Sequence, residues 1–191
     1  MRKYLYLTKT EWVIPWVEGG SIPISLASTY QANVREGTLT PDENLIHDSP
    51  VDIASLRQSG LNFKNVRNLT FSGITINDQK LPNFENVNYY KDDGLILSFS
   101  NRKSGEICRR LGKVACVAIN EVERLKQQLG VESTAADCRY TNDHQRNHFL
   151  KAIADEWQQE YRLFWPVLQS TCVTLPPGIS RRIKIKSRRM R

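Results

Sequence analysis

The stretch "DEWQQEYRLFW", residues 155–165, sets Gln158, Glu160 and Arg162 among aromatic side chains. An extended backbone from Trp157 would put Gln158, Glu160, Arg162 and Phe164 on one face and Trp157, Gln159, Tyr161, Leu163 and Trp165 on the other. Such a strand could carry one catalytic carboxylate, Glu160, into a cleft. A helix would instead gather Phe149, Leu150, Ile153, Trp157, Tyr161, Phe164 and Leu168 into one apolar stripe. Glu160 and Arg162 would then be solvated flank residues. Periodicity favours the helix; the aromatic content and Pro166 favour a strand, at least over 160–165. Both readings stay open.

A second group of residues suits phosphate chemistry. The tail "ISRRIKIKSRRMR" (179–191) holds Arg181, Arg182, Lys184, Lys186, Arg188, Arg189 and Arg191 and no acid. The whole chain has 27 Lys and Arg against 20 Asp and Glu, a net charge of +7. The seven tail cations account for that excess, so the body is neutral and the cationic end points to a local contact with nucleic acid or an acidic nucleoprotein partner. Within "RIKIK", Arg182, Lys184 and Lys186 alternate with Ile183 and Ile185, the pattern of an edge strand with its cations outward.

Metal chemistry has no comparable pattern. The four cysteines, Cys108, Cys116, Cys138 and Cys172, form no C-x-x-C pair, and His47, His144 and His148 fit no ligand spacing. Buried, reduced thiols are the expectation, and no metal site is expected.

The elements that must position these groups follow from local signals. "KYLYL" (3–7) suits a buried strand, and "TKTEWVIPWVEGG" suits one or two helical turns before Gly-Gly. "SIPISLAS" (21–28) reads as a short strand entering a loop, and residues 30–60 as irregular connection. Residues 65–77 are β-rich but broken by Gly73, and "LPNFENVNYYKDDG" reads as a polar, aromatic loop. "GLILSFS" (94–100) is a strand. "SGEICRRLG" is a short helix capped by Ser104 and stopped by Gly112. "KVACVAI" (113–119) is a buried strand, "NEVERLKQQLG" (120–130) a helix capped by Asn120, and "DCRYT" a small strand.

At 191 residues and 40% hydrophobic, the chain can bury one sizeable core. Its longest apolar runs, such as "VACVAI", are too short to span a bilayer, and no secretory leader pattern opens it. A cytoplasmic protein without membrane contact is expected, with a single α+β domain over 1–178 and a basic edge strand or tail over 179–191.

The second half, roughly 94–165, resembles a widespread bacterial family of uncharacterised proteins. The shared features are the strand "LSFS" (97–100), "LGKVACVAI" (111–119), "NEVERLKQQL" (120–129) and the late Trp-x-x-Glu-x-Arg segment "WQQEYR" (157–162). Where family members show "MWshYa" after the first serine motif, this chain has "GEICRRL". That family is similar to the ADP-ribosyltransferase fold, whose members carry a basic residue on an early strand, a Ser-x-Ser strand and a Gln/Glu-x-Glu strand. Matched in order, these are Arg2 (or Lys3), Ser98-Phe99-Ser100 and Gln158-Gln159-Glu160.

The resemblance implies a central split antiparallel sheet with short helices, and NAD as cofactor. It also implies an ADP-ribosyltransferase-like toxin or phage-defence effector. Glu160 would stabilise positive charge developing at the ribose carbon, and Gln158 would orient the acceptor. Ser98 and Ser100 would brace carboxylate and ribose, and Arg2 would hold the pyrophosphate. The alternative is a non-enzymatic nucleic-acid or ribonucleoprotein-binding accessory protein worked by its tail.

Overall fold

The computed structural model describes residues 2–30, 68–76, 78–81, 83–87, 93–143 and 147–185. Its strands, in chain order, are β1 (Lys3–Leu7), β2 (Gly20–Ile24), β3 (Leu69–Phe71), β4 (Thr75–Ile76), β5 (Gln79–Lys80), β6 (Phe84–Val87) and β7 (Leu95–Ser100). They continue with β8 (Ala115–Ile119), β9 (Thr134–Asp137), β10 (Arg139–Thr141), β11 (Leu150–Ala152), β12 (Glu160–Trp165), β13 (Thr171–Leu175) and β14 (Ser180–Arg182). Short helices lie at Val13–Val17, Gly105–Arg110 and Val122–Lys126.

Six strands form one sheet in the order β14-β8-β1-β7-β12-β9, every neighbouring pair antiparallel. The architecture is therefore mixed α+β with a mostly antiparallel sheet. β2 pairs with β13 beside this sheet, and an isolated bridge between Leu26 and Leu95 links the two.

Alternation along the strands gives the sheet two different faces. On one, Leu95 and Phe99 of β7, Leu163 and Trp165 of β12, Val117 and Ile119 of β8 and Leu7 of β1 form the main core. Trp16, Ile22, Leu125, Val173 and Ile179 cover it from helices and flanking segments. Trp165 donates its indole N–H to the Lys126 carbonyl at 3.1 Å, fixing the helix Val122–Lys126 over this face. On the other face, Tyr6, Ile107, Cys108 and Cys116 make a smaller core, with Leu111, Trp157, Ile183 and Ile185 packed against it. The polar side chains of β7 and β12 look out on this second side.

β7 and β12 come together without a side chain at position 94. A Cβ on Gly94 would lie 2.4 Å from the Trp165 carbonyl oxygen and 2.6 Å from Phe164 Cζ.

The helix Gly105–Arg110 has its predicted limits: Ser104 Oγ accepts from the Ile107 N–H at 3.2 Å, and Gly112 has φ 63°. The segment 120–130 is shorter than expected. Its cap position is Glu121 rather than Asn120 and makes no side-chain cap bond; a 3-10 turn at Gln127–Leu129 then leads to Gly130 at φ 63°. The stretch read as a loop after Leu81 contains β6, and β9 was not anticipated. Most of the irregular connection expected over 30–60, with His47, and His144 lie outside the described residues. Cys108, Cys116 and Cys138 are buried free thiols, whereas Cys172 is exposed, a correction to the expectation for all four. Burial pushes the Cys116 thiol up to about 12 and Cys108 upward as well, so both are poor nucleophiles.

Candidate functional site

The competing backbone readings of 155–165 divide the segment between them. Residues Ile153–Gln158 form a 3-10 turn, Gln159 takes the left-handed conformation at φ 46°, and the strand begins at Glu160. Gln158 is thus not on the strand face it was expected to share with Glu160. It reaches the same place from the end of the turn. The helical stripe failed because its apolar residues serve different layers: Tyr161 joins the main core and Trp157 the smaller one on the opposite side.

Register sets the rest. Glu160 lies opposite Ser100, Arg162 opposite Ser98 and Phe164 opposite Ile96, all on the second face. At Cys138 the chain leaves β12, with the Cys138 N–H donating to the Glu160 carbonyl at 2.8 Å. It continues as β10, which pairs in parallel with β11 and places Lys151 opposite Tyr140. The Tyr140 hydroxyl accepts from the Glu160 N–H at 2.8 Å, and this anchors the first residue of β12 from the same strand pair.

The result is a buried charged cluster. Lys151 Nζ is ion-paired with Glu160 Oε2 and donates to Gln158 Oε1 at 3.2 Å. Arg162 Nε donates to Glu160 Oε1 at 3.3 Å, and Arg162 Nη1 donates to the His148 carbonyl at 2.9 Å. Gln158 Nε2 donates to Asp155 Oδ1 at 2.9 Å. Relative exposures are 1% for Lys151, 2% for Arg162, 4% for Gln158 and 6% for Glu160, so this network is part of the interior. The His148 ring stacks on Phe164 at 4.4 Å, closing one side.

Burial alone would raise the Glu160 carboxyl pKa. Arg162 and Lys151, with hydrogen bonds from Lys151 and Ser98, overcome that and hold it at about 2. Glu160 is therefore ionised across the neutral range. It is unsuited to proton transfer near pH 7, and its negative charge is engaged by Lys151 and Arg162.

The serines differ in their surroundings. Ser100 is buried; its hydroxyl donates to the Gln158 carbonyl at 2.8 Å and accepts from the Arg102 N–H at 3.2 Å. Ser98 is exposed opposite Arg162 on the same face, and its hydroxyl helps to lower the Glu160 pKa, so it is where the cluster meets solvent. Arg2 is exposed ahead of β1, and no hydrogen bond or ion pair joins it to the Glu160 cluster. Lys3 is on the opposite face, bonded to Asn101, 3.1 Å from Asp137 Oδ1 and 3.7 Å above the Tyr161 ring. It serves as an internal tie there.

Sequence reasoning missed Lys151 and Asp155. Their only signal was the "LKAIADEW" stretch itself, one lysine and two adjacent acids in an otherwise apolar segment. Among the described residues no group of three His, Cys, Asp or Glu side chains could hold a metal ion. Among them, too, no helix is long and apolar enough to cross a membrane.

Arg181, Arg182 and Lys184 are exposed on or just after the edge strand β14, while Ile183 and Ile185 turn inward. Lys186, Arg188, Arg189 and Arg191 lie outside the described residues. Compared with protein-family models, with curated proteins and with solved structures, the chain matches none.

Proposed function

We propose that the protein is an ADP-ribosyltransferase-like, NAD-consuming effector of the toxin or phage-defence type, with Glu160 as its essential carboxylate. The observation that carries this reading is the meeting of Glu160, Gln158, Ser98 and Ser100 at the β7–β12 pair. The first two come from the end of a turn and the start of a strand, the serines from the neighbouring strand. The antiparallel sheet with a smaller pair of strands beside it is also what the split sheet of that fold would require.

In this reading the ligand is NAD. When bound, it would supply a ribose carbon that becomes positively charged as nicotinamide leaves with the bonding electron pair, while an acceptor oxygen or nitrogen bonds to that carbon and loses its proton to solvent. Glu160 contributes a fixed negative charge and a hydrogen-bond acceptor for a ribose hydroxyl, reached past Ser98. Ser98 holds the carboxylate from the solvent side, and Ser100 fixes the Gln158 backbone. Gln158, tied to Asp155 and Lys151, is a positioning residue for the acceptor side. Arg2, exposed and near no part of the cluster by bonding, would reach only the outer, phosphate end of such a ligand.

The test is NAD turnover by the full chain with nucleic acid, protein lysate and cell extract as acceptors. Wild type should consume NAD, Ser98→Ala should reduce turnover about tenfold with an unchanged melt, and Glu160→Gln should abolish it. Intact NAD under all three conditions sinks the reading.

A second reading rests on a separate observation, the exposure of Arg181, Arg182 and Lys184 along the edge of the sheet. These cations suit contact with nucleic-acid phosphates, either as the acceptor of the reaction or in a non-enzymatic accessory protein. Because Ile179 is fully buried and Ser180 donates to the Trp16 carbonyl at 2.8 Å, deleting 179–191 would strip a structural strand. Charge-neutralising substitutions at 181, 182 and 184 are the appropriate probe, and salt-sensitive nucleic-acid binding that survives them would remove this reading.

A further inference from the structure

Neutrality of the body as a whole conceals one strongly cationic segment. Residues 101–113 hold five basic side chains, Arg102, Lys103, Arg109, Arg110 and Lys113, against a single acid, Glu106. The fold concentrates them. In the helix Gly105–Arg110, Ile107 and Cys108 point into the smaller core, which leaves Arg109 and Arg110 exposed on the far side. Arg102 and Lys103 are exposed between β7 and that helix.

The tail is held against the same layer. Ile183 and Ile185 pack onto the core that Ile107 and Cys108 help to form, and the Ile183 N–H donates to the Cys116 carbonyl at 2.9 Å. Arg181 lies opposite Ala118, which shares its face with Cys116, so its exposed side chain leaves the sheet on the helix-bearing side.

We infer that this helix-bearing face is a nucleic-acid-binding surface in which Arg109 and Arg110, beside Arg102, Lys103 and Arg181, contact the phosphate backbone. The inference extends the second reading above from the tail onto the body of the protein, and it does not depend on NAD chemistry.

Three observations support it. First, among the described residues none of the five is ion-paired with a carboxylate, whereas Lys3, Arg124, Lys126, Lys151 and Arg162 all are. Second, four of the five are arginines, whose planar fork of donors fits phosphate oxygens in pairs. Third, Arg110 is pre-positioned, its guanidinium 3.7 Å from the centre of the Trp157 ring. A guanidinium plane backed by an aromatic ring is also a platform on which an unpaired base stacks. Glu106 and Glu156 are the exposed acids in these segments, leaving cations in clear excess.

The experiment is a binding titration of the full chain against a labelled single-stranded oligonucleotide and a duplex of matched length, repeated over a range of salt. Arg109→Gln with Arg110→Gln should weaken binding about tenfold or more. It should also flatten the log–log salt dependence by about 1.4 for the single strand or 1.8 for the duplex, as expected for two lost phosphate contacts. Because Arg110 packs on Trp157, Arg109→Glu serves as a second variant that leaves this stack intact; with an unchanged melting temperature it should show the same direction of loss. Binding by neither nucleic acid, or affinity and slope unchanged in both folded variants, overturns the inference. Equal weakening toward a heparin fragment of matched charge overturns the nucleic-acid assignment. If Arg182→Gln with Lys184→Gln abolishes binding while the helix variants bind as wild type, this inference fails and the tail reading stands.

Discussion

Lys151 closes on Glu160 in the interior of the protein, an ammonium and a carboxylate that are both almost inaccessible to water. Arg162 takes the second carboxylate oxygen, so one acid answers two cations. Substituting the carboxylate alone therefore does more than remove a candidate catalytic group. It leaves two buried cations facing each other.

Glu160→Gln should cost about 3–5 kcal/mol of folding stability, the range for breaking a buried ion pair from one side. Lys151→Met combined with Glu160→Gln removes one charge of each sign and should cost clearly less than the sum of the two single changes. A double-mutant cycle by denaturant titration measures this, and additivity within about 0.5 kcal/mol would show that the pair is not coupled. Loss of NAD turnover in Glu160→Gln must for this reason be read beside a melt, and Ser98→Ala is the cleaner functional probe.

Acid should act through the same carboxylate. Its pKa is lowered from an ordinary 4.5 to about 2, so the folded state binds this proton less readily than the unfolded chain does. The contribution to stability is complete above about pH 4.5 and is lost as the pH falls through about 2. Stability measured across that window should fall more steeply for wild type than for Glu160→Gln, by on the order of 2–3 kcal/mol. Turnover of NAD by wild type should show no loss from protonation of Glu160 between pH 5 and 8, and an acid limb near pH 6 would contradict this assignment.

Gly94→Ala should destabilise the protein by about 1–3 kcal/mol through overpacking, since the added carbon meets backbone and an aromatic ring that cannot both withdraw. Thermal unfolding reads this directly as a lower midpoint. A wild-type melting temperature in the variant would mean that β7 and β12 do not approach as described.

Thiol reactivity should separate the cysteines. In the native protein Cys172 alone, exposed on β13, should react quickly with an aromatic disulfide reagent, and Cys108, Cys116 and Cys138 should become available only on unfolding. Cys172→Ser should eliminate the fast phase. Rapid labelling of a second thiol would show that the smaller core opens under native conditions.

Much of the scaffold was legible because local signals agreed with tertiary demands. "GLILSFS" and "KVACVAI" become central strands, and Ser104 and Gly112 bound a helix as their chemistry predicts. The segment 153–165 was ambiguous for a physical reason. Its apolar residues are divided between two cores on opposite faces of the sheet, so neither a period of two nor one of 3.6 describes them all. The charged cluster was half legible. Glu160, Gln158 and the serines stood out by type and order, but Lys151 and Asp155 join through a parallel pairing of β10 with β11 and a turn, long-range contacts that no local pattern encodes. The arginines of the helix Gly105–Arg110 were visible in the sequence, yet a chain-wide charge balance averaged them away.

The left-handed Gln159 has a consequence for which chain lengths this region can tolerate. A one-residue insertion between it and Tyr161 would reverse the facing of everything downstream in β12, driving Arg162 toward the aromatic layer and Leu163 toward the cations. Loops elsewhere could grow or shrink over generations, but the spacing from this elbow to Pro166 should be fixed to the residue in any descendant that keeps the fold.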